Sequence, residues 1–298
     1  GIYGSTLSPR TIYLSTSSLD SFSLSLLPLL VQRNISFILI SANTDLTIPV
    51  NIDKRDHQRN IVSTWNHLLA CAHLVHWYAE NRIWTHSKVS TLPIGSMLYE
   101  NAADVPSPTI PLADRSQRVF VGDRVHSTHP QWDDRRRSAA ACLSRPDICY
   151  LYRNRNSSYL HTKTCRPGSS SSSNGGSECE SAYNTRDWLR TVASFPFIAI
   201  THGGGIDPCP KLFDALFVST IPIIEHNALY DAYSQLPVVF VSNLTDFFLW
   251  TNHTIVFRNW LAEFAPYYEP QSVLRNQTLY RLTTEYWYNN IVTQSLGP

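Results

Sequence analysis

Apolar runs alternate with glycine- and proline-rich turns along much of the chain, most clearly in its second half. Residues 195–201 form an apolar run rich in aromatic and β-branched residues, which predicts a buried strand. A turn of three glycines at 203–205 follows, and Asp207 with the neighbouring prolines predicts the start of an apolar helix. Two further strands are predicted at 221–225 and 237–242. This order of strand, turn, helix and strand is the βαβ unit of a parallel sheet.

The rest of the chain alternates in the same way, which predicts an α/β fold. Other strands are predicted at 12–15, 37–40, 88–94 and 118–122, and helices at 22–31, 61–77, 135–143 and 279–292. A proline-rich stretch at 100–115 predicts a linker. We therefore predict two Rossmann-like domains, 1–115 and 116–278, followed by a C-terminal helix in 279–298. A low-complexity loop is predicted at 167–177 within the second domain.

The glycine turn is a candidate anion site, because N–H groups at the start of a helix would point toward it. Lys211 adds a positive charge about one turn into the predicted helix, and Asp214 lies on the same helix face. A cation for a diphosphate and a carboxylate for a ribose together indicate a nucleotide-sugar site. The alternative interpretation is a glycine cap beside an ordinary surface pair of lysine and aspartate.

Two acidic residues follow the early predicted strands. Asp20 lies after the strand at 12–15, and Asp45 lies in a polar loop after the strand at 37–40. Ligands of open α/β sheets bind at the carboxyl ends of strands, so both residues are placed to face a cleft. The alternative roles are a helix cap for Asp20 and a turn for Asp45.

Composition and charge narrow the class of protein. Of 298 residues, 43% are hydrophobic and 12% aromatic, which fits a globular protein of two domains. A net charge of +1 without a basic stripe gives no reason to expect a nucleic-acid partner. No run of about 18 or more apolar residues occurs. Because the chain begins at Gly1, we expect a processed or trimmed product whose membrane contact, if any, is through an anchor absent from this sequence.

The segment HGGGIDPCPKLFDAL…STIPII resembles the donor-binding half of exostosin-like glycosyltransferases. The family pattern is a glycine-rich turn, Asp, Arg or Lys, Glu-Ala-Leu, a small residue and Ile-Pro-Ile-Ile. Asp214 stands where the family usually has Glu, and Ser219 and Thr220 stand where it often has Leu-Gly or Val-Gly. Three other segments are similar to further parts of the family, at 37–49, 74–100 and 284–291.

The resemblance implies a metal-independent transferase of the GT-B type, with two facing Rossmann-like domains, a cleft between them, and a last helix that returns to the first domain. It implies a UDP- or GDP-linked sugar donor, a glycan or glycoprotein acceptor and no other cofactor. The donor-binding residues would be His202, Gly203, Gly204, Gly205, Asp207, Lys211 and Asp214. Asp45 is the preferred base for an inverting reaction because its loop resembles the family, and Asp20 is the alternative. The chain has no Asp-x-Asp motif, so we predict that the leaving diphosphate is stabilised electrostatically and no metal is bound.

Two other classes of protein are alternatives to a glycosyltransferase. An α/β-hydrolase can carry His-Gly-Gly-Gly as its oxyanion loop, but the chain has no G-x-S-x-G motif and too little sequence after His202. A protein that keeps the transferase fold and only binds glycans, or serves as a structural component, remains an alternative because of Asp214 and the missing glycine after the helix. Binding of UDP or GDP discriminates between an enzyme and such a protein.

Six cysteines fit no metal-binding spacing. In an oxidising compartment, Cys165 and Cys179 could pair with each other, or with Cys142 or Cys149, while Cys71 is predicted to be a free buried thiol. Five N-x-S/T sequons are present. We therefore expect the Golgi or another secretory-pathway lumen, with the cytoplasm as the alternative for a viral or microbial protein.

Overall fold

The part of the chain described by a computed structural model comprises residues 10–55, 60–96, 110–122, 129–152 and 185–296. The predicted loop at 167–177 lies outside these ranges, as do Cys165, Cys179 and most of the predicted linker. Among the described residues, no helix combines the length and the apolar character needed to cross a membrane.

The described residues form two parallel sheets, which confirms the predicted α/β fold. The first sheet contains, in spatial order, β1 (Arg10–Ser15), β2 (Phe37–Ala42), β3 (Leu74–Ala79) and β4 (Val89–Thr91). The second sheet contains β5 (Val119–Val121), β6 (Cys149–Leu151), β7 (Phe197–Ile200), β8 (Ile221–Glu225) and β9 (Val239–Val241). Its spatial order is β6-β5-β7-β8-β9.

Helices connect the strands and cover the sheets. They are α1 (Leu19–Ser21), α2 (Leu27–Gln32), α3 (Val62–Ala70), α4 (Asp133–Ser144), α5 (Thr185–Val192), α6 (Lys211–Phe217), α7 (Tyr230–Tyr233), α8 (Leu244–Leu249), α9 (His253–Phe264), α10 (Val273–Arg281) and α11 (Thr284–Leu296). A π-helical turn, Phe22–Leu26, joins α1 to α2. Pro28 lies in the first turn of α2, where its missing N–H is tolerated.

Both faces of the first sheet are covered, but by different parts of the chain. Phe37 and Leu39 on β2 belong to a core shared with α1, α2 and α3. Ile38 points to the opposite face of the strand and packs with Tyr78 and Ile291. Because Ile291 belongs to α11, a helix that follows the second sheet in sequence completes the first domain.

The strand order of the second sheet reverses beside β5. The chain passes from β5 to β6 on one side and then to β7 on the other, so β5 and β7 are neighbours at a topological switch point. Ligands of open α/β sheets bind outside the carboxyl ends of the strands at such a point. Gly122, which follows β5, and His202, which follows β7, flank it.

The prediction of one helix over 61–77 is wrong. The helix α3 ends at Ala70, and Cys71 has an extended backbone (φ −70°, ψ 121°), after which the chain continues as β3. Trp77 is buried in that strand, and its indole N–H donates to Ser41 Oγ at 2.9 Å. A buried strand and a buried helix segment have similar apolar content, so periodicity did not separate them.

The helix predicted at 279–292 is interrupted, since α10 and α11 are separate helices that meet near Thr283. The Thr283 hydroxyl donates to the Tyr280 carbonyl at 2.7 Å and accepts from the Tyr286 N–H at 3.1 Å. A threonine side chain that bonds backbone groups on both sides favours a break in the helix over its continuation.

A disulfide joins Cys142 at the end of α4 to Cys149 at the start of β6, with their Cα atoms 5.3 Å apart. The possibility that either residue pairs with Cys165 or Cys179 is therefore wrong, because the two are near enough to bond each other. Cys71 is not disulfide-bonded, as predicted, but it lies half-buried just after α3 rather than within it.

Ser219 follows α6 in a backbone conformation that suits glycine. Its φ of 57° is left-handed, and the N–H of Thr220 donates to the Ala215 carbonyl at 2.8 Å, as in a Schellman helix end. The residue is buried, and its hydroxyl has no hydrogen-bond partner among the described residues.

We expect Ser219→Gly to raise the free energy of unfolding by about 1 kcal/mol, because glycine removes both the left-handed strain and the unbonded hydroxyl. Thermal unfolding should show an increase in Tm of about 2–4 °C. Ser219→Ala is the matched control, since alanine removes the hydroxyl but keeps the strain, and it should recover only part of the gain. An equal effect of the two substitutions would contradict the role assigned to the backbone.

Candidate functional site

Loops from the carboxyl ends of both sheets meet at a junction between the domains. Asn81, which follows β3, is buried, and its Oδ1 accepts hydrogen bonds from the N–H groups of Ile206 and Asp207 at 3.0 and 2.9 Å. Its Nδ2 donates to the Thr44 carbonyl in the loop after β2 at 3.2 Å. Asn81 therefore links the loop after β2 with the loop after β7.

Residues 203–205, hereafter the glycine loop, lie against the first domain. A Cβ atom built on Gly204 would come within 3.0 Å of the side chains of Arg55 and Asp45. A Cβ on Gly203 would have Asp45 Oδ1 at 3.8 Å. The structure thus brings Asp45, a predicted base, beside the predicted donor-binding loop.

Some N–H groups of this region are bonded within the protein. The Gly203 N–H donates to the Asp207 carbonyl at 2.9 Å, and the two N–H groups that follow the glycine loop donate to Asn81. Among the described residues, the N–H groups of Gly204 and Gly205 have no such partner. A Cβ on Gly205 would overlap the Asn81 side chain, so this contact also requires glycine.

Asp207 does not cap α6, contrary to the prediction. The helix begins at Lys211 after Pro210, and no side chain caps it. The buried Asp207 carboxyl instead accepts from the Cys209 N–H at 2.9 Å and the Tyr233 hydroxyl at 2.6 Å. Burial raises the pKa of Asp207 to about 6, although these hydrogen bonds act in the opposite direction. The intervening turn separates the glycine loop from the start of α6.

Lys211 and Asp214, both on α6, contact different parts of the chain. Lys211 Nζ donates to the Gly122 carbonyl at 3.2 Å and lies 6.0 Å from the ring centroid of Trp188, so the ammonium group is at the switch point. Asp214 accepts a hydrogen bond from the Ser96 hydroxyl at 2.9 Å. Burial raises the pKa of Asp214 to about 6, against the opposing effects of that bond and of Lys211.

Asp45 is half exposed and forms an ion pair with Arg55. Arg55 also binds Asp53, whose Oδ1 accepts from the backbone N–H and from Nε of Arg55, both at 2.9 Å. Burial acts to raise the pKa of Asp53, but the bonds from Arg55 outweigh it and the pKa is lowered. The indole of Trp132 lies 5.0 Å from the Arg55 guanidinium and 4.3 Å from that of Arg135. Cations of both domains therefore meet at one aromatic ring.

His202 is held between the glycine loop and the start of α4. Its carbonyl accepts from Arg135 Nη2 and Nε at 2.7 and 3.2 Å. Its ring Nδ1 lies 2.9 Å from the Gly203 carbonyl, and Nε2 lies 3.4 Å from Asp134 Oδ2. The second contact is an ion pair when the imidazole is protonated.

Asp20 is not brought together with the other candidates. It lies on α1, and its Oδ1 accepts from the Thr64 hydroxyl of α3 at 2.5 Å. None of its contacts among the described residues is with the glycine loop. The geometry therefore gives Asp45, and not Asp20, a position beside the donor-binding candidates.

Glu80 belongs to the same junction, although the sequence did not single it out. It is buried and accepts from the Asn43 N–H at 2.7 Å. Burial, together with the nearby Asp207, raises the pKa of Glu80 to about 7. Glu80 could have been found from the sequence because it directly follows the apolar run that forms β3. Since a helix was predicted through Trp77, the end of that strand was not recognised.

Two further side chains, likewise missed, join the domains. Arg82 is buried and pairs with Asp231 of α7 at 2.7 Å. Gln131 accepts from the Lys54 N–H at 2.7 Å and donates to the Gly204 carbonyl at 2.6 Å. These bonds, with those of Asn81, fix the glycine loop against the first domain.

In the described ranges, no three His, Cys, Asp or Glu side chains lie close enough together to hold a metal ion. The carboxylates of the junction have other partners, namely Arg55 for Asp45 and Tyr233 for Asp207. Metal-independent transfer stays a prediction.

The chain has distant likenesses among solved structures. No protein-family model and no curated protein matches the chain. One similar solved structure is a trehalose-6-phosphate synthase from a study of glycosyl transfer with retention, at 10% identity and a TM-score of 0.44 over 98% of this chain and 74% of that one. Another is an alpha1,3-fucosyltransferase, at 13% identity and a TM-score of 0.36 over 88% and 82%. At this distance neither carries a functional argument, and membership of the exostosin-like family stays a prediction.

Proposed function

We propose that this protein is a glycosyltransferase that moves a sugar from a UDP- or GDP-linked donor to a hydroxyl group of a glycan or glycoprotein. The observation that carries the proposal is the position of the Asp45 carboxylate, from the first sheet, beside the glycine loop of the second sheet. A candidate base and a candidate donor site thus face each other across the domain junction. The exostosin-like sequence pattern around the glycine loop supports the same function.

The donor's diphosphate would lie between the glycine loop and Lys211. The N–H groups of Gly204 and Gly205 are donors for it, and the ammonium group of Lys211 lies at the switch point, where ligands of such sheets bind. A positive charge fixed there would stabilise the negative charge that develops on the leaving diphosphate. His202, adjacent to the loop, would contact the sugar or a phosphate.

Asp45 would act as the base for an inverting reaction. It would accept the proton of the acceptor hydroxyl from the first-domain side while the diphosphate leaves toward the second domain. A base must approach the hydroxyl to about 3 Å, and the half-exposed Asp45 side chain is open to an acceptor. Asp214 would bind the ribose through the acceptor sites that its bond from Ser96 to Oδ1 leaves open.

The second candidate function is a catalytically degenerate transferase fold that binds glycans or serves as a structural component. Asp214 favours it, because the carboxyl is bonded to Ser96 and burial raises its pKa to about 6. A carboxyl that is partly protonated near neutral pH is a weaker acceptor for sugar hydroxyls. Under this alternative the protein need not bind UDP or GDP.

We place the proposed activity in the Golgi or another secretory-pathway lumen. The disulfide between Cys142 and Cys149 supports this compartment, because disulfides persist in oxidising environments. A cytoplasmic location is the alternative for a viral or microbial protein.

Isothermal titration with UDP and GDP tests the proposal. We expect wild-type protein to bind one of them, and Lys211→Ala to weaken that binding by about tenfold or more, because a charge on the diphosphate is lost. Lys88→Ala is the matched control: it removes the same charge, but Lys88 lies before β4 and bonds the carbonyls of Leu69 and Cys71. Binding of neither nucleotide by well-folded wild-type protein would overturn the transferase and favour the degenerate alternative.

A further inference from the structure

Arg55 reaches from the first domain to the glycine loop of the second. Of the atoms nearest to a Cβ built on Gly204, the first is Arg55 Nη2 and the next two belong to Asp45. The guanidinium therefore lies within the region in which the proposed diphosphate binds. It is a positive charge that neither the sequence pattern nor the Lys211 site includes.

The guanidinium is oriented by its neighbours and is still accessible. Asp53, itself buried, accepts from Arg55 Nε at 2.9 and 3.1 Å and from Nη2 at 2.5 Å. The Trp132 ring lies 5.0 Å from the guanidinium carbon. The Arg55 side chain is nevertheless 39% exposed, so a ligand in the junction can approach it.

The charges around the glycine loop indicate a need for this cation. Asp45, Glu80 and Asp207 are close enough to act on one another electrostatically, and all three are acidic. A diphosphate brought beside them adds further negative charge, and the second domain supplies Lys211 and Arg135 as cations near the glycine loop. A guanidinium is well suited as a further cation from the first domain, because its planar donors match phosphate oxygens two at a time.

The present partner of Arg55 is the residue proposed as the base. Arg55 engages the Oδ2 oxygen of Asp45, so an acceptor hydroxyl competes with the guanidinium for that oxygen. A diphosphate offers several anionic oxygens where Asp45 offers one carboxylate. Donor binding can therefore draw the guanidinium away from Asp45.

We propose that Arg55 is a diphosphate ligand supplied by the first domain, and that its guanidinium passes from Asp45 to the donor when the donor binds. The proposal rests on the transferase function proposed above. In the bound state Arg55 stabilises the leaving diphosphate together with Lys211. Asp45 is then released to accept the proton of the acceptor hydroxyl. The same exchange frees the Oδ2 oxygen of Asp45 only when a donor is present.

Titration of UDP and GDP against Arg55 variants tests the first half of the proposal. We expect Arg55→Ala to weaken binding of the preferred nucleoside diphosphate about tenfold and to leave binding of the matching nucleoside, uridine or guanosine, unchanged. Arg55→Lys keeps the positive charge but loses the paired planar donors of the guanidinium. Its affinity for the nucleoside diphosphate should therefore lie between those of wild type and Arg55→Ala. Arg145→Ala is the matched control, because Arg145 also pairs with an aspartate, Asp147, but lies before the start of β6, away from the carboxyl ends of the strands, and the variant should bind as wild type does.

A double-mutant cycle tests the exchange between Asp45 and the donor. Asp45→Asn removes the competing carboxylate, so we expect it to tighten nucleoside diphosphate binding several-fold in the wild-type background. In the Arg55→Ala background the gain should be clearly smaller, because no guanidinium remains to be released. Equal gains in both backgrounds would overturn the exchange.

The outcomes separate this inference from the proposed function. If wild-type protein binds neither nucleotide, both are overturned. The other informative outcome is that wild-type protein binds a nucleotide, that Lys211→Ala weakens the binding and that Arg55→Ala does not. In that case the transferase function stands and the role of Arg55 is overturned.

Discussion

Gly205→Ala is expected to lower the free energy of unfolding by several kcal/mol, while Gly203→Ala leaves it nearly unchanged. A Cβ on Gly205 would lie within 3.0 Å of the Asn81 carboxamide and 2.8 Å from the Asp45 backbone carbonyl. The carbonyl cannot move without moving its loop. If Asn81 is displaced, the N–H groups of Ile206 and Asp207 lose their hydrogen-bond acceptor. Each unsatisfied N–H group would lower the free energy of unfolding by about 1–3 kcal/mol.

The three glycines form a matched series. At Gly203 the nearest atoms to a Cβ are 3.8 Å away, which is ordinary contact. At Gly204 the Cβ would meet the side chains of Arg55 and Asp45, which are half exposed and able to move, so we expect an intermediate effect. Urea unfolding of the three alanine variants measures the order directly. Equal stability of Gly203→Ala and Gly205→Ala would contradict the packing of the glycine loop against Asn81.

Glu80→Gln is expected to stabilise the protein above pH 7 by about 3 kcal/mol and to have little effect near pH 4. The folded state raises the pKa of Glu80 from 4.5 to about 7, so between these values it holds a proton that the unfolded chain has lost. The stability linked to this proton is therefore fully present below pH 4.5 and is lost as the pH rises through 7. Glutamine cannot ionise, and its carbonyl oxygen can still accept the Asn43 N–H.

Urea unfolding of wild type and Glu80→Gln from pH 4 to pH 8 tests this expectation. The wild-type free energy of unfolding should fall relative to the variant across the window. Asp207→Asn is the companion variant: it removes a second carboxyl whose pKa burial raises, and its amide can accept from the Cys209 N–H and donate to the Tyr233 hydroxyl oxygen. It should therefore also gain stability relative to wild type as the pH rises from 4 to 8. Parallel pH profiles for wild type and Glu80→Gln would show that Glu80 ionises normally.

Four of the five strands of the second sheet could be predicted because each carries a local signal, whereas β6, which begins at Cys149, was not predicted. The run at 195–201 became β7, and the apolar segment after the prolines became α6, although the cap assigned to Asp207 was wrong. The error arose because the Asp207 carboxyl is used by Tyr233, a partner that only the folded chain brings near. The helix predicted through Trp77 was wrong for another reason: four of the six residues of β3 are buried, so the strand lacks the regular alternation of a half-buried one.

Most of the junction had no signal in the sequence. Asn81 lies 125 residues from Ile206, which donates to it, and no periodicity relates two such positions. Arg55 lies in a turn and Gln131 in a short 3-10 helix, Pro130–Trp132. At such polar positions the sequence does not distinguish a residue that bonds the other domain from a solvated one. The loops at the carboxyl ends of the strands could be predicted from the fold class. Which side chains meet there depended on how the two domains pack.

The packing of α11 on the first sheet has a consequence for biosynthesis. As the polypeptide leaves the ribosome, β2 and β3 can form with α1, α2 and α3, because all of these precede the second sheet in sequence. The surface around Ile38 and Tyr78 stays uncovered until Ile291 has been translated. The nascent first domain therefore keeps an apolar face exposed, to which chaperones can bind, until α11 is synthesised after the entire second sheet.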